Sequence, residues 1–490
     1  MSDAKYLSAA REFLGTLIDK GTDRYGKKET PVFCLSLDPE TYSPPRPPEK
    51  IDREYAIEFE KLYRDFGHYW KSHIHGSNLI YDQGTIRALY GLTEASGEPQ
   101  FAKAADAYLN FFFENMVSEQ TGIFGWGEHI FYNVYLDHII GGCFRQAGWH
   151  EFFYGHELER WTTIYDVMWD KNPEKTRTEI DAIYDYKIHD YETFICNRHS
   201  DYYAGRTEDL YTFIKHTGLF AHAFAFAYSK TGEEKYIDWS KKMSDVFWNI
   251  RNPQTNLLRG CVQRDNEVSA TSSGTAQLAL FLMRAYQWAP EPSLLEKAHA
   301  YMKAYYKYFK ADDKGNFRAD VHVDGTDLKP GEFEEYWEGP IRMAKSAVLA
   351  YSLTGDKEML ELAEVVMSNI TSETVFDSDV ERSLVSDAIE VRAFAISTAI
   401  DLYEMTADKK YLVKAQALAD DAIARFLYKG LFVSTMKLQQ DRVIIGQTKV
   451  YDARAGSGWL ALNLIRLQRD LDATEAGSFE KFSELEKIYD

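Results

Sequence analysis

Histidine both ligates metals and moves protons near neutral pH, and the thirteen in this 490-residue chain are unevenly spread. Four fall between positions 129 and 156 (His129, His138, His150, His156), and another sits in Asn197-Arg198-His199. The first group opens in Gly125-Trp126-Gly127-Glu128-His129 and closes in Tyr154-Gly155-His156-Glu157. Neither stretch has the HExxH spacing that puts two ligands on one helix face, which excludes a zincin. His129, Glu157 and His199 are the candidates to meet at the ends of successive elements. Mixed nitrogen and oxygen donors from separate elements suit a divalent metal such as manganese, with positions left open for substrate. The competing reading has each histidine capping a helix or packing on a tyrosine.

Arg198, beside His199, is either a solvated charge or a fixed fork for a carboxylate. A second polar knot runs from Gly331 through Glu335-Tyr336-Trp337-Glu338 to Arg342. Rings and acids at that density make a sugar platform with hydroxyl acceptors, or else an acid-rich helix start. A third knot, Tyr451-Asp452-Ala453-Arg454-Ala455-Gly456, opens the last apolar helix, and Asn78, Asp82 and Gln83 open an early one. Trp126, Tyr336 and Trp337 are therefore candidate stacking rings, and Arg342 and Arg454 candidate substrate cations. No serine nucleophile elbow, phosphate loop or Cys–His pair stands out, and carboxylates are too abundant to pick a glycosidase pair.

These groups need a scaffold, and the chain carries a repeated one. An apolar helix end, a tight turn and an acidic helix start recur at Gly97-Glu98, Gly232-Glu233 and Gly355-Asp356, with Ala407-Asp408 and a proline variant at Trp288–Leu294. Glycine accepts the left-handed conformation after the last helical turn, and the acid meets the next helix's positive end. Successive turns lie roughly 50–65 residues apart, one helical hairpin and its return loop. Helix-period apolar runs such as Gln277–Tyr286 fill the intervals. Six or seven hairpins fit the length. Small residues at packing positions (Ala221, Ala223, Ala225, Ala227) favour closure into an all-α (α/α) toroid over an open solenoid. Long polar loops at 118–130, 190–206, 255–272 and 310–338 alternate with the tight turns, so one face is plain and the other holds the site. With no Gly- or Ser-rich linker, residues 1–490 read as one domain. Strands are expected only in loops such as Leu431–Ser434 and Arg442–Ile445.

Bulk properties narrow the partners. Aromatic residues make up 15% of the chain, enough for a ring-lined cleft as well as a core. A net charge of −20 opposes nucleic acid and anionic membrane, so an acidic substrate must be met by a local arginine cluster or metal. The first twenty residues read as an amphipathic helix, not a signal peptide. Cys34, Cys143, Cys196 and Cys261 are scattered and read as reduced, buried thiols. Together these predict a cytoplasmic protein.

The Asp23-Arg24-Tyr25-Gly26 and Thr30-Pro31-Val32-Phe33 stretches, with the order His129, Glu157, Arg198-His199, resemble the family 2 polysaccharide lyases. The forty-one residues from Glu157 to Arg198 agree with that family's spacing. The resemblance implies an (α/α)7 barrel and a pectate-like uronate polymer as substrate. It implies a divalent metal on His129 (or His138 or His150), Glu157 and His199, with Arg198 as base. The implied chemistry is β-elimination, in which cations neutralise the uronate carboxylate, a base takes the C5 proton and the C4 oxygen leaves. Because arginine is ordinarily protonated, Tyr202, Tyr203 or a histidine competes as base, with Arg198 then holding the carboxylate. Two other functions compete: a metal-free hydrolase of the unsaturated uronyl type and a non-catalytic carbohydrate-binding toroid.

Overall fold

The computed structural model describes residues 4–45, 47, 49–50, 74–127, 130–141, 154–155, 163–208, 210–264, 269–312, 316–318, 320–326, 338–376, 388–440 and 443–486. Among them are fourteen α-helices in two concentric layers. The inner layer is α2 (Leu79–Ser96), α4 (Tyr165–Lys171), α6 (Ile214–Thr231), α8 (Ser272–Trp288), α10 (Glu338–Thr354), α12 (Ile389–Thr406) and α14 (Ser457–Glu475). Each packs on the next, and a bidentate Arg87–Asp166 pair at 2.8 and 3.0 Å closes the ring between α2 and α4. The outer layer is α1 (Lys5–Lys20), α3 (Pro99–Asn115), α5 (Pro173–Ala182), α7 (Glu234–Ile250), α9 (Pro292–Phe309), α11 (Lys357–Ser368) and α13 (Lys409–Phe426). From the start of the chain, α1 fills the last outer place against α14 and α2. The expected (α/α) toroid is therefore a ring of seven pairs.

The two layers follow from residue patterning. Outer helix α7 buries Tyr236, Ile237, Ser240, Met243, Ser244, Val246 and Phe247, a stripe at helical spacing with a wet opposite face. Inner helix α12 is buried at every residue from Ile389 to Met405 and has no such stripe. A helix enclosed on all sides still carries Glu390, Arg392, Asp401 and Glu404, so these charges need partners inside the protein. Close approach sets the tightest seam: a Cβ on Gly458 of α14 would lie 2.3 Å from the backbone nitrogen of Thr85 on α2.

The tight turns stand where the repeats put them, with left-handed residues at Gly97, Gly232, Gly355 and, at φ 58°, Ala407. All of them join an inner helix to the following outer helix. The return connections are long and gather at the N-terminal ends of the inner helices, so the plain and elaborate faces are as expected. The plain end is capped by the chain's last stretch, where Phe482 donates its amide to the Glu404 carbonyl at 2.7 Å and Leu485 to Ser352 Oγ at 2.8 Å.

The return connections hold more strand than expected. The two loops foreseen as extended form a hairpin of ten-residue strands, Leu431–Gln440 and Val443–Asp452, with an irregularity at Leu438/Gln439. Arg442 lies outside the described residues. Strand Ser36–Leu37 pairs with it at Asp452 and Tyr451. Three short sheets tie the other loops together, including Gly76–Ser77 with Ile130–Asn133 and His138–Gly141. Cys34, Cys196 and Cys261 are buried free thiols, and Cys143 lies outside the described residues.

Candidate active site at the open end of the ring

Asn78 begins the assembly of the mouth. In an extended conformation (φ −153°, ψ 111°) it caps α2 by accepting from the Ile80 amide. Its side-chain amide then donates to the carbonyls of Gly127 at 2.6 Å and Ile130 at 3.2 Å. The chain on both sides of Glu128-His129 is thus held at the N-terminus of an inner helix. Gln83, one turn on, accepts the Ile164 amide at 2.8 Å and anchors the approach to α4.

The Arg198-His199 loop is built by a wide π-type turn, Ile183–Lys187, after which Ile188 bridges Cys196. Buried Asn197 donates its backbone amide to the Lys187 carbonyl at 2.8 Å and its side chain to Thr207 at 2.6 Å, and accepts from the His199 amide at 3.2 Å. Buried Lys187 donates to the Arg198 carbonyl at 3.5 Å. The Arg198 guanidinium lies 4.8 Å from the centre of the Phe213 ring, the residue that precedes α6. Immediately after His199, Ser200 pairs with Gly155 and Asp201 with Tyr154. That ladder brings the strand that leads into His156-Glu157 beside the strand that leaves Arg198-His199. Among the described residues no three His, Cys, Asp or Glu side chains gather as a metal site. His129, Glu157, Tyr336 and Trp337 lie outside them.

Several expectations are corrected by burial. Trp126 is only 1% exposed and packs against Phe124 at 5.1 Å and Phe112 at 6.0 Å, with no open face for a sugar. Arg454 forks onto Asp452 at 2.8 and 2.6 Å with both side chains fully buried, so it is a structural cation. Arg342 is buried too, 3.1 Å from Glu338 and 4.4 Å from the Phe394 ring centre, and its charge is engaged within the fold. Tyr202 is 5% exposed and burial pushes its phenol up, which makes it a poor base. Tyr203, edge-on to it at 4.9 Å, keeps 48% of its surface exposed and also has a raised phenol, again chiefly through burial. Residues the sequence did not single out are Lys187, Phe213 and Arg264. Nothing in their spacing marks them, because contacts between separate loops bring them to Arg198.

Asp82 faces the outer layer, not the mouth. Its Oδ2 accepts from Tyr108 at 2.9 Å, Oδ1 has no hydrogen bond among the described residues, and burial pushes the carboxyl up to about 8. A raised carboxyl favours the fold while it is protonated, so this contribution is complete below about pH 4 and is lost as pH rises through 8. Asp82→Asn, which cannot ionise, should leave Tm unchanged at pH 4 and raise it by roughly 3 °C at pH 9. Equal shifts at the two pH values would refute the assignment.

With the mouth defined, comparison with known proteins places the chain. The profile of the periplasmic pectate lyases matches residues 66–275 and 259–444. The chain belongs to that family. The family's periplasmic description overturns the cytoplasmic expectation, which rested on the first twenty residues and on scattered thiols, neither of which reports a compartment. No described helix is long and apolar enough to cross a membrane. A pectate disaccharide-lyase of Dickeya dadantii (strain 3937) is 25% identical over 204 residues, spanning 37% of this chain and 36% of that relative. Among solved structures, a D-mannose isomerase (10% identical, 96% and 98% of the two chains, TM-score 0.50) is similar. So is the cellobiose 2-epimerase of Bacillus thermoamylovorans B4167 (11% identical, 95% and 99%, TM-score 0.50). Likeness at such identities is of fold alone.

Proposed function

We propose that this member of the pectate lyase family cleaves a pectate-like polyuronate by metal-assisted β-elimination, at the mouth formed by the loops before α4 and α6. The supporting observation is the Tyr154–Gly155 and Ser200–Asp201 ladder, which joins the segment entering Glu157 to the one leaving Arg198-His199. His129, Glu157 and His199 are the proposed metal ligands. Two imidazoles and a carboxylate suit a divalent ion such as manganese. When bound, that ion neutralises the uronate carboxylate and acidifies the C5 proton.

The chain's own residues do the rest. Arg198, with its carbonyl held by Lys187 and its guanidinium against Phe213, takes the proton from C5. The released electron pair forms the C4–C5 double bond as the C4–O bond breaks, and the departing oxygen is protonated from solvent. The products are one fragment with the unsaturated uronate at its new non-reducing end and another with a new reducing end, its anomeric oxygen protonated. Tyr203, half-exposed beside the loop, offers a ring for the sugar to lie against.

The test is incubation with polygalacturonate, alginate or glucuronan, with added manganese or chelator, following the ultraviolet absorbance of the unsaturated product. The expected result is a rise on polygalacturonate that chelator removes and manganese restores. No rise on any polymer from protein with an intact helical spectrum would overturn the proposal.

A further inference from the structure

A chain with twenty more acidic than basic residues can give most of its arginines a carboxylate partner, and many have one. Arg11 pairs with Glu98, Arg177 with Glu233, Arg392 with Asp421 and Arg466 with Asp401. Arg198 and Arg264 are different: neither has a carboxylate partner among the described residues. Both guanidinium groups lie against one ring, Phe213, at 4.8 and 5.5 Å from its centre. Their separation therefore cannot exceed the sum of those distances. The one ring thus carries two guanidinium groups that no described carboxylate answers, at a place where an anionic ligand would be favoured.

The arrangement is built, since three loops are bonded together beneath it. Phe213 bridges Cys261, Val262 donates to the Thr212 carbonyl at 2.9 Å, and Ile214 donates to the Gly260 carbonyl at 2.9 Å. Thr212 in turn donates to the Cys196 carbonyl at 2.6 Å, and its amide reaches Gln263 at 2.8 Å. Half-exposed Tyr211 stacks on Phe213 at 6.2 Å and 26° and extends the apolar floor outward. A floor of rings edged by guanidinium groups that meet no carboxylate among the described residues suits a sugar chain with one apolar face and a carboxylate on each residue.

We propose that Arg264, seated against Phe213 beside the base Arg198, forms a guanidinium subsite that reads a carboxylate of a polyuronate. Arg264 is the specificity-determining residue that makes a run of unesterified uronates the preferred ligand. This rests on the reading of the mouth as a polyuronate site, but its test does not depend on turnover. Arg264 is exposed, and its backbone amide donates to the Cys261 carbonyl at 3.4 Å whatever its side chain. Arg264→Gln should therefore fold.

Calorimetric binding of trigalacturonate and of its methyl ester would be measured for the full chain and for Arg264→Gln and Arg264→Lys, alongside kinetics on polygalacturonate. Arg264→Gln should weaken trigalacturonate binding and raise KM about tenfold, the worth of one charge-assisted fork, with kcat within threefold. Ester binding should hardly change, and Arg264→Lys should fall between the two. Trigalacturonate binding within twofold of the parent, or equal losses on acid and ester, would overturn the subsite even if the chain proves a lyase. A tenfold, acid-selective loss in a chain that yields no unsaturated product would support the subsite and sink the lyase reading. A parent chain that does not bind trigalacturonate would overturn the subsite outright.

Discussion

Arg198→Ala should lower kcat/KM on polygalacturonate by at least a thousandfold, roughly 4 kcal/mol of barrier, while leaving the helical spectrum and Tm unchanged. The size follows from asking one side chain to take the C5 proton beside a developing negative charge, where no neighbour replaces it. Tyr202 is buried with a raised phenol, and Tyr203 is raised as well. Stability is spared because the loop is held by backbone and by Asn197, while the guanidinium contributes one ring contact and no carboxylate pair among the described residues. Arg198→Lys, which keeps charge but loses the planar fork, should recover little. Activity of Arg198→Ala within tenfold of the parent would remove this residue from the chemistry and return the base to the other candidates.

Asp401→Asn should cost about 3–5 kcal/mol of unfolding free energy in a denaturant titration. Asp401 lies within the ring, well along α12 toward the capped end. It accepts from Lys345 at 2.9 Å and from Arg466 at 2.9 Å, and all three side chains are at most 4% exposed. Burial would raise this carboxyl, yet Lys345 and Arg466 outweigh it and hold it below its ordinary value. Burial meanwhile pushes the Lys345 ammonium down to about 8, against the pull of Asp401. Removing the central negative charge leaves two buried cations, with Glu404 able to answer only Arg466 at 2.9 Å. An uncompensated buried charge is far costlier than a missing pair. A loss below about 1 kcal/mol would mean water or rearrangement reaches the cluster.

The same charges show how far residue patterning carries. Left-handed turns at Gly97, Gly232, Gly355 and even Ala407 are local chemistry, a helix end that needs a particular backbone conformation and an acid that meets the next helix start. They were legible, and with them the hairpin period, the closed ring and the division into plain and elaborate ends. Trp126 read equally well as a sugar platform or as core, because a single ring in a glycine-rich stretch does not report its neighbours. Phe112 and Phe124, packed against it, decided it.

The sequence by itself determined the helical class, the order of the pairs, the end that bears the long loops and the adjacency of Arg198 to His199. Each depends on interactions within a few residues or on a repeat that recurs along the chain. Only the tertiary structure decided that Arg342 and Arg454 are enclosed while Arg198 and Arg264 share Phe213. Those outcomes depend on burial and on tertiary neighbours, such as Phe394 against Arg342 and Phe213 against both Arg198 and Arg264, which local spacing does not report. A guanidinium's spacing in sequence is the same whether it meets a carboxylate of its own fold or is left for a substrate's.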